Sequence, residues 1–122
     1  MKSQGMVLSF MPAKDNDHLR RMHEFSRRIM RRIEDVSAED FLADDDLQDM
    51  VLYAIGQVGE NASAVSDLIK DANPEILWNA IIGIRNRVFH SYGDIDMTIV
   101  YEAAVGHTPI LVQQLEEIFG ES

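Results

Sequence analysis

At 122 residues the chain has the length of one domain, enough for a single modest core and too short for two independent ones. Hydrophobic residues make up 46% of it, against 7 Gly and 3 Pro, which is the composition of a folded globular protein, and the lack of cysteine removes disulfides, thiolate zinc sites and cysteine nucleophiles. The formal net charge of -10 argues against general nucleic-acid affinity, but seven of the 11 Lys and Arg lie between Lys14 and Arg32, two more are Arg85 and Arg87, and eight acids without a base fill Glu34 to Asp49.

The N-terminal "MKSQGMVLSFMPAK" carries one apolar patch, Met6 to Met11 with Ser9 inside it, too short for the apolar region of a signal peptide. It reads as a flexible leader over residues 1–16, with Met11 as a second candidate start and a single helical domain over 17–120. No apolar run approaches the roughly 20 residues needed to span a bilayer, so no membrane association is expected. Together with the absence of cysteine this fits a cytoplasmic setting.

In "DNDHLRRMHEFSRRIMRRIEDVS", Leu19, Met22, Phe25, Ser26, Ile29, Met30, Ile33 and Val36 share one side of a helix and six arginines take the other. Asp17 is placed to cap it. Ser37 followed by Asp40 predicts a short helical turn near Phe41. Leu47, Met50, Val51, Ala54, Ile55, Val58, Ala62 and Val65 then recur at three- and four-residue spacing, giving a second long helix to about Lys70. Asp44, Asp45 and Asp46 stand at its start, where the helix dipole favours negative charge.

Asn73 and Pro74 read as cap and first position of a third helix. That helix starts between Pro74 and Trp78, ends near His90 and buries Trp78, Ile81, Ile82 and Val88 or Phe89, with the indole N–H satisfied near its start. "YGDID" breaks it, and Asp96 caps a fourth helix from Met97 to about Phe119, which Gly106 and Pro109 kink or interrupt. No segment alternates with period two. The expected fold is all-α, an up-and-down four-helix bundle with a short extra helix.

The stretch "IRNRVFHSYGDID" sets Arg85, Arg87, His90 and Tyr92 within eight residues. A guanidinium binds phosphoryl oxygens in a bidentate way, and imidazole is suited to proton transfer at neutral pH. Together they suit cleavage of a ribose phosphodiester by its own 2′-hydroxyl, a reaction that needs no metal, with arginine answering the charge that builds on the phosphorane. Arg85 and His90 are five positions apart, about 140° around a continuous helix. They converge only if the helix loosens near His90, or if a second copy completes the site. The reaction also moves two protons, so one His90 is a group short and a two-fold dimer would supply base and acid together. The structural alternative is an arginine in a salt bridge and a histidine at a helix C-terminus.

The pattern Arg85, His90 and Tyr92 resembles the R-x-x-x-x-H-x-Y motif of HepT-like toxins of the HEPN superfamily. The similarity extends through "FLADDDLQDMVLYAIGQVGENA", "PEILWNAIIGIRNRVFH" and "DMTIVYEAA", residues 17 to 119. It implies a HEPN-like homodimer acting as a metal-independent endoribonuclease toxin, with its composite site at the dimer interface. It also implies an antitoxin partner, a MntA-like minimal nucleotidyltransferase, that uses ATP to attach AMP to the motif tyrosine. Carried over, Arg85 and His90 are catalytic, Asn86 and Arg87 position RNA phosphate, and Tyr92 is the AMPylation site. An AMP ester there would add negative charge and bulk beside an RNA cleft, and both oppose substrate entry. The leader has no counterpart in the family, and Leu77 stands where many members carry a second proline.

Other features weigh less. Glu60, read as a buried carboxylate on the second helix, is either a partner that orients Arg85 or an ordinary core-edge acid. The arginines from Arg20 to Arg32 read as a solvated face matched by Glu24 and the acidic segment, with an RNA track or an acidic partner as alternatives. His18 and His23 lie about 140° apart on one helix and His107 stands alone, so no metal and no cofactor are assigned. The competing functional class is a non-catalytic helical adaptor that docks on the nucleotidyltransferase.

Overall fold

The structure, a computed structural model, describes residues 11–121. The leader read over 1–16 therefore lies largely outside the described residues. The amphipathic arginine-rich segment winds into α1, Ala13–Ile33, burying Leu19, Met22, Ser26, Ile29 and Ile33. The helix starts before Asp17, directly after Pro12, and no side chain caps it. The reason lies in Asp15, which is buried and accepts from the Ser66 N–H at 2.9 Å and the Ser66 hydroxyl at 2.6 Å, fixing the first turn to a segment 51 residues further along the chain. At the other end Asp35 takes a φ of 62°, a left-handed conformation that short polar side chains tolerate and that stops the helix.

The short turn near Phe41 forms as α2, Ala38–Leu42, with the Ser37 hydroxyl accepting from the Asp40 N–H at 3.1 Å and Phe41 fully buried. The central helix α3, Asp45–Ala64, is capped by the Asp44 carboxylate, which accepts from the Leu47 N–H at 3.0 Å. It does not run on to Lys70. Val65 turns extended and buried, Ser66 is held by Asp15, and a separate α4, Asp67–Ala72, follows with Ile69 inside.

Asn73 closes α4 rather than opening the next helix. Its amide donates to the Ile69 carbonyl at 2.9 Å, and its own carbonyl accepts the Trp78 indole N–H at 3.1 Å. A buried asparagine tied to the preceding turn is thereby unavailable as an N-cap, and α5 begins only at Trp78, running Trp78–His90. After a 3-10 turn at Tyr92–Asp94, Asp96 accepts from the Thr98 N–H at 2.9 Å and caps α6, Met97–Gly106. The expected break falls at His107, where Pro109 has no N–H to give, and α7, Thr108–Phe119, completes the chain with Gly120 in the left-handed closing position.

The fold is all-α, with α3 at its centre. α1 packs on one flank of α3 and α5 on the other, while α7 lies along α1 and α6 bridges α1 and α7. Leu19, Met22, Ala62, Ile69, Trp78, Leu115 and Ile118 fill one end of the core, and Ile29, Phe41, Val51, Leu52, Val88 and Val100 the other. Among the described residues no helix is long and apolar enough to cross a membrane.

Candidate active site

α5 rests chiefly on α3, and two glycines on α3 set how close it comes. A Cβ at Gly59 would collide with the Arg85 Cβ, and one at Gly56 would stand 3.1 Å from Phe89 Cε1. The pair, one helical turn apart on one face, forms a saddle on which the stem of Arg85 and the ring of Phe89 sit. Both glycines lie inside the stretch "IGQVGENA", where their spacing was the available signal for this close crossing.

From that saddle Arg85 reaches Glu60 one residue further along α3. Its Nε and Nη2 both donate to Glu60 Oε1, at 2.9 and 2.6 Å, and Nη1 donates to Asn86 Oδ1 at 2.6 Å. The guanidinium carbon also lies 5.0 Å from the centre of the Phe89 ring, a cation–π contact. Glu60 is not buried: its side chain is 50% exposed, against 27% for Arg85. With one edge of the guanidinium on Glu60, the Nη1/Nη2 end keeps N–H donors for a further acceptor.

The helix is regular through His90, and the Ser91 N–H still bonds the Arg87 carbonyl at 2.8 Å. At 100° per residue Arg85 and Phe89 therefore face α3, Asn86 and His90 point to solvent, and Arg87 leaves on the third side. There Arg87 lines a small cleft with Ile84, Asp96 and Ile99. His90 is exposed, and a single chain does not bring it to Arg85. The side chain of Tyr92 lies outside what the structure describes; its backbone stands in the 3-10 turn that follows α5.

On its remaining side α5 is apolar and open. Leu77 and Ile84, 64% and 39% exposed, face Ile110 of α7 at 55% across a groove of about 380 Å³ that also takes in Ala80, Ala103 and Leu111. The arginines of α1 find partners mainly on α7 and its end rather than in the acidic segment: Arg20 pairs with Glu121 at 2.8 Å, and Arg27 reaches Glu116 at 3.9 Å beside the His23–Glu116 contact at 2.8 Å. Arg28 pairs with Glu24 on its own helix at 3.1 Å. His18 bonds Asn61 at 2.8 Å, so His18 and His23 are both spoken for by different elements. Among the described residues no three His, Asp or Glu side chains converge as a metal site.

Residues 19–118 match the family model described as "Ribonuclease HepT-like". A protein named probable ribonuclease HepT from Thermococcus cleftensis is 25% identical over 108 residues, 88% of this chain and 98% of the relative. Two further relatives carry RNase in their names. One, from Caldanaerobacter subterraneus subsp. tengcongensis, is 24% identical over 84% of this chain and 88% of its own length; the other, from Methanocaldococcus jannaschii, is 24% identical over 88% and 90%. No solved structure matches.

Proposed function

The chain belongs to the ribonuclease HepT-like family, and from that membership we propose that it is an endoribonuclease that cuts RNA without a metal ion, using Arg85 and His90. The observation that carries this reading is the fixed guanidinium. Glu60 and Asn86 hold Arg85 with part of its N–H fork unspent, on the same helix whose last residue is an exposed imidazole.

In the reaction the 2′-hydroxyl attacks the adjacent phosphorus, loses its proton to one imidazole, and the 5′-oxygen leaves with a proton from another. Arg85 answers the negative charge on the phosphorane oxygens. Asn86, whose Oδ1 is taken by Arg85, still has amide N–H groups for a phosphate oxygen. Arg87 adds positive potential for the RNA strand at the same helix end, and Glu60 acts as a positioning residue that aims Arg85.

Two imidazoles call for two chains, because each chain brings one His90; α5 stays helical through it and turns it about 140° from its own Arg85. The homodimer forms through the open apolar side of α5, α6 and α7, where Leu77, Ile84 and Ile110 are left uncovered. The protein serves as the toxin of a toxin–antitoxin pair. A MntA-like nucleotidyltransferase silences it by transferring AMP from ATP to the Tyr92 hydroxyl, which attacks the α-phosphorus and releases pyrophosphate.

The test is cleavage of RNA by the purified chain in EDTA. Activity that persists with EDTA and vanishes in His90→Ala supports the reading; equal activity in His90→Ala sinks it. Treatment with a MntA-like enzyme and ATP should add AMP mass to the chain and stop cleavage, while Tyr92→Phe should keep cutting after the same treatment.

A further inference from the structure

Two large aromatic rings on the outer surface of α3 and α5, one of them beside Arg85, are not part of the core. Tyr53 of α3 is 59% exposed and Phe89 of α5 is 50% exposed, whereas Phe41, Trp78 and Phe119 are buried. We infer that Tyr53 and Phe89 form a stacking platform for unpaired RNA bases that follow, along the strand, the phosphate held at Arg85. This rests on the ribonuclease reading and narrows its substrate class to single-stranded or looped RNA.

The helix register places the two rings at one site. α3 and α5 run antiparallel, with Gly59 opposite Arg85 and Gly56 opposite Val88 and Phe89. One further turn back along α3 brings Tyr53 to the level of His90 and Ser91. The platform therefore runs from the guanidinium past Phe89 towards Tyr53.

Each ring is braced on one side. Phe89 sits over Gly56, with the Arg85 guanidinium 5.0 Å from its centre. Tyr53 meets Phe25 edge-on at 5.9 Å, and Phe25 in turn lies 4.8 Å beneath the Arg28 guanidinium. Rings already held in place lose little freedom when a base lies on them. Arginines stand at both ends of the array, Arg28 beyond Tyr53 and Arg85 beyond Phe89, as required to follow a strand's phosphates.

Base stacking on aromatic side chains is tolerant of sequence but needs the base pulled out of a duplex. Ile84, on the apolar face proposed for a second copy, points about 140° around α5 from Phe89, so a copy docked there leaves the ring itself uncovered.

The test uses the full chain and a short single-stranded RNA that is 2′-O-methylated throughout, so that it binds uncut, with 2-aminopurine at successive positions. Stacking should quench the fluorophore at one or two neighbouring positions. Tyr53→Leu and Phe89→Leu should each weaken binding about tenfold and remove the quench at one position, with Phe89→Tyr restoring it. The variants should keep the parent's thermal midpoint and mass in solution.

Equal binding and quenching in the Leu variants overturns the platform, as does a loss of binding that tracks a loss of the dimer, or a parent that prefers duplex to single strand. The two readings separate cleanly. A parent that binds and quenches but never cuts cleavable RNA keeps the platform and loses the catalysis; a parent that cuts, with Leu variants unaltered in KM, does the reverse.

Discussion

Glu60 Oε1 receives both Nε and Nη2 of Arg85, so a single carboxylate oxygen fixes the plane of the guanidinium that faces the proposed phosphate. The pair is half open to water, which makes its Coulombic contribution to stability small. Its consequence is geometric. Glu60→Gln should leave the unfolding transition nearly unchanged while lowering kcat by up to about 10²-fold, the scale expected when a reacting group is displaced by about 1 Å. Single-turnover cleavage together with thermal unfolding checks this, and a variant that cuts at the parent's rate would remove Glu60 from the site.

The saddle beneath that pair and a glycine in open space on α5 give stability predictions of opposite sign. Gly59→Ala places a methyl against the Arg85 Cβ and within 3.0 Å of the Ile81 carbonyl, atoms close to the helix axis that cannot swing aside. α3 and α5 must part, at a cost on the order of 3 kcal/mol. At Gly83 a Cβ meets nothing within 4 Å, so Gly83→Ala should stabilise the helix by about 0.5–1 kcal/mol. Urea unfolding of both variants decides it; equal effects would mean the crossing is looser than the structure shows.

Much of this arrangement was legible in the chain itself, and the parts that were not share a cause. The caps at Ser37, Asp44 and Asp96 and the break before Pro109 are local, and local chemistry reveals them. The start of α1, the break at Val65–Ser66 and the role of Asn73 depend on partners 51 residues away or on a buried indole, which no local pattern displays. The same holds at the site. The motif on α5 marks Arg85 and His90, but only the crossing with α3 shows that Glu60 lies on the surface and grips Arg85, and that Phe89 sits over Gly56 beside it.

His90 yields a prediction about stoichiometry. If each reaction needs one imidazole as base and another as acid, and each comes from a different chain, a dimer with one His90→Ala copy is inactive. Mixing parent with His90→Ala and allowing exchange should then lower activity with the square of the parent fraction. A linear fall would mean that a single His90 suffices and that the composite site is wrong.

The apolar groove sets the last test, because a composite site makes oligomeric state and activity a single property. Leu77, Ile84 and Ile110 are exposed together around a groove of about 380 Å³, yet each is surrounded by residues that already pack, so a change at their tips leaves the core intact. Ile84→Glu would put a charge on the face proposed for a second copy's apolar surface, and burying it unpaired costs several kcal/mol of association. The variant should sediment as a monomer at concentrations where the parent is a dimer, keep its helical circular dichroism, and lose cleavage. Raising its concentration should restore both mass and activity in step. Cleavage by a folded monomer would show that one chain carries a complete site, and the pairing of His90 across copies would have to be given up.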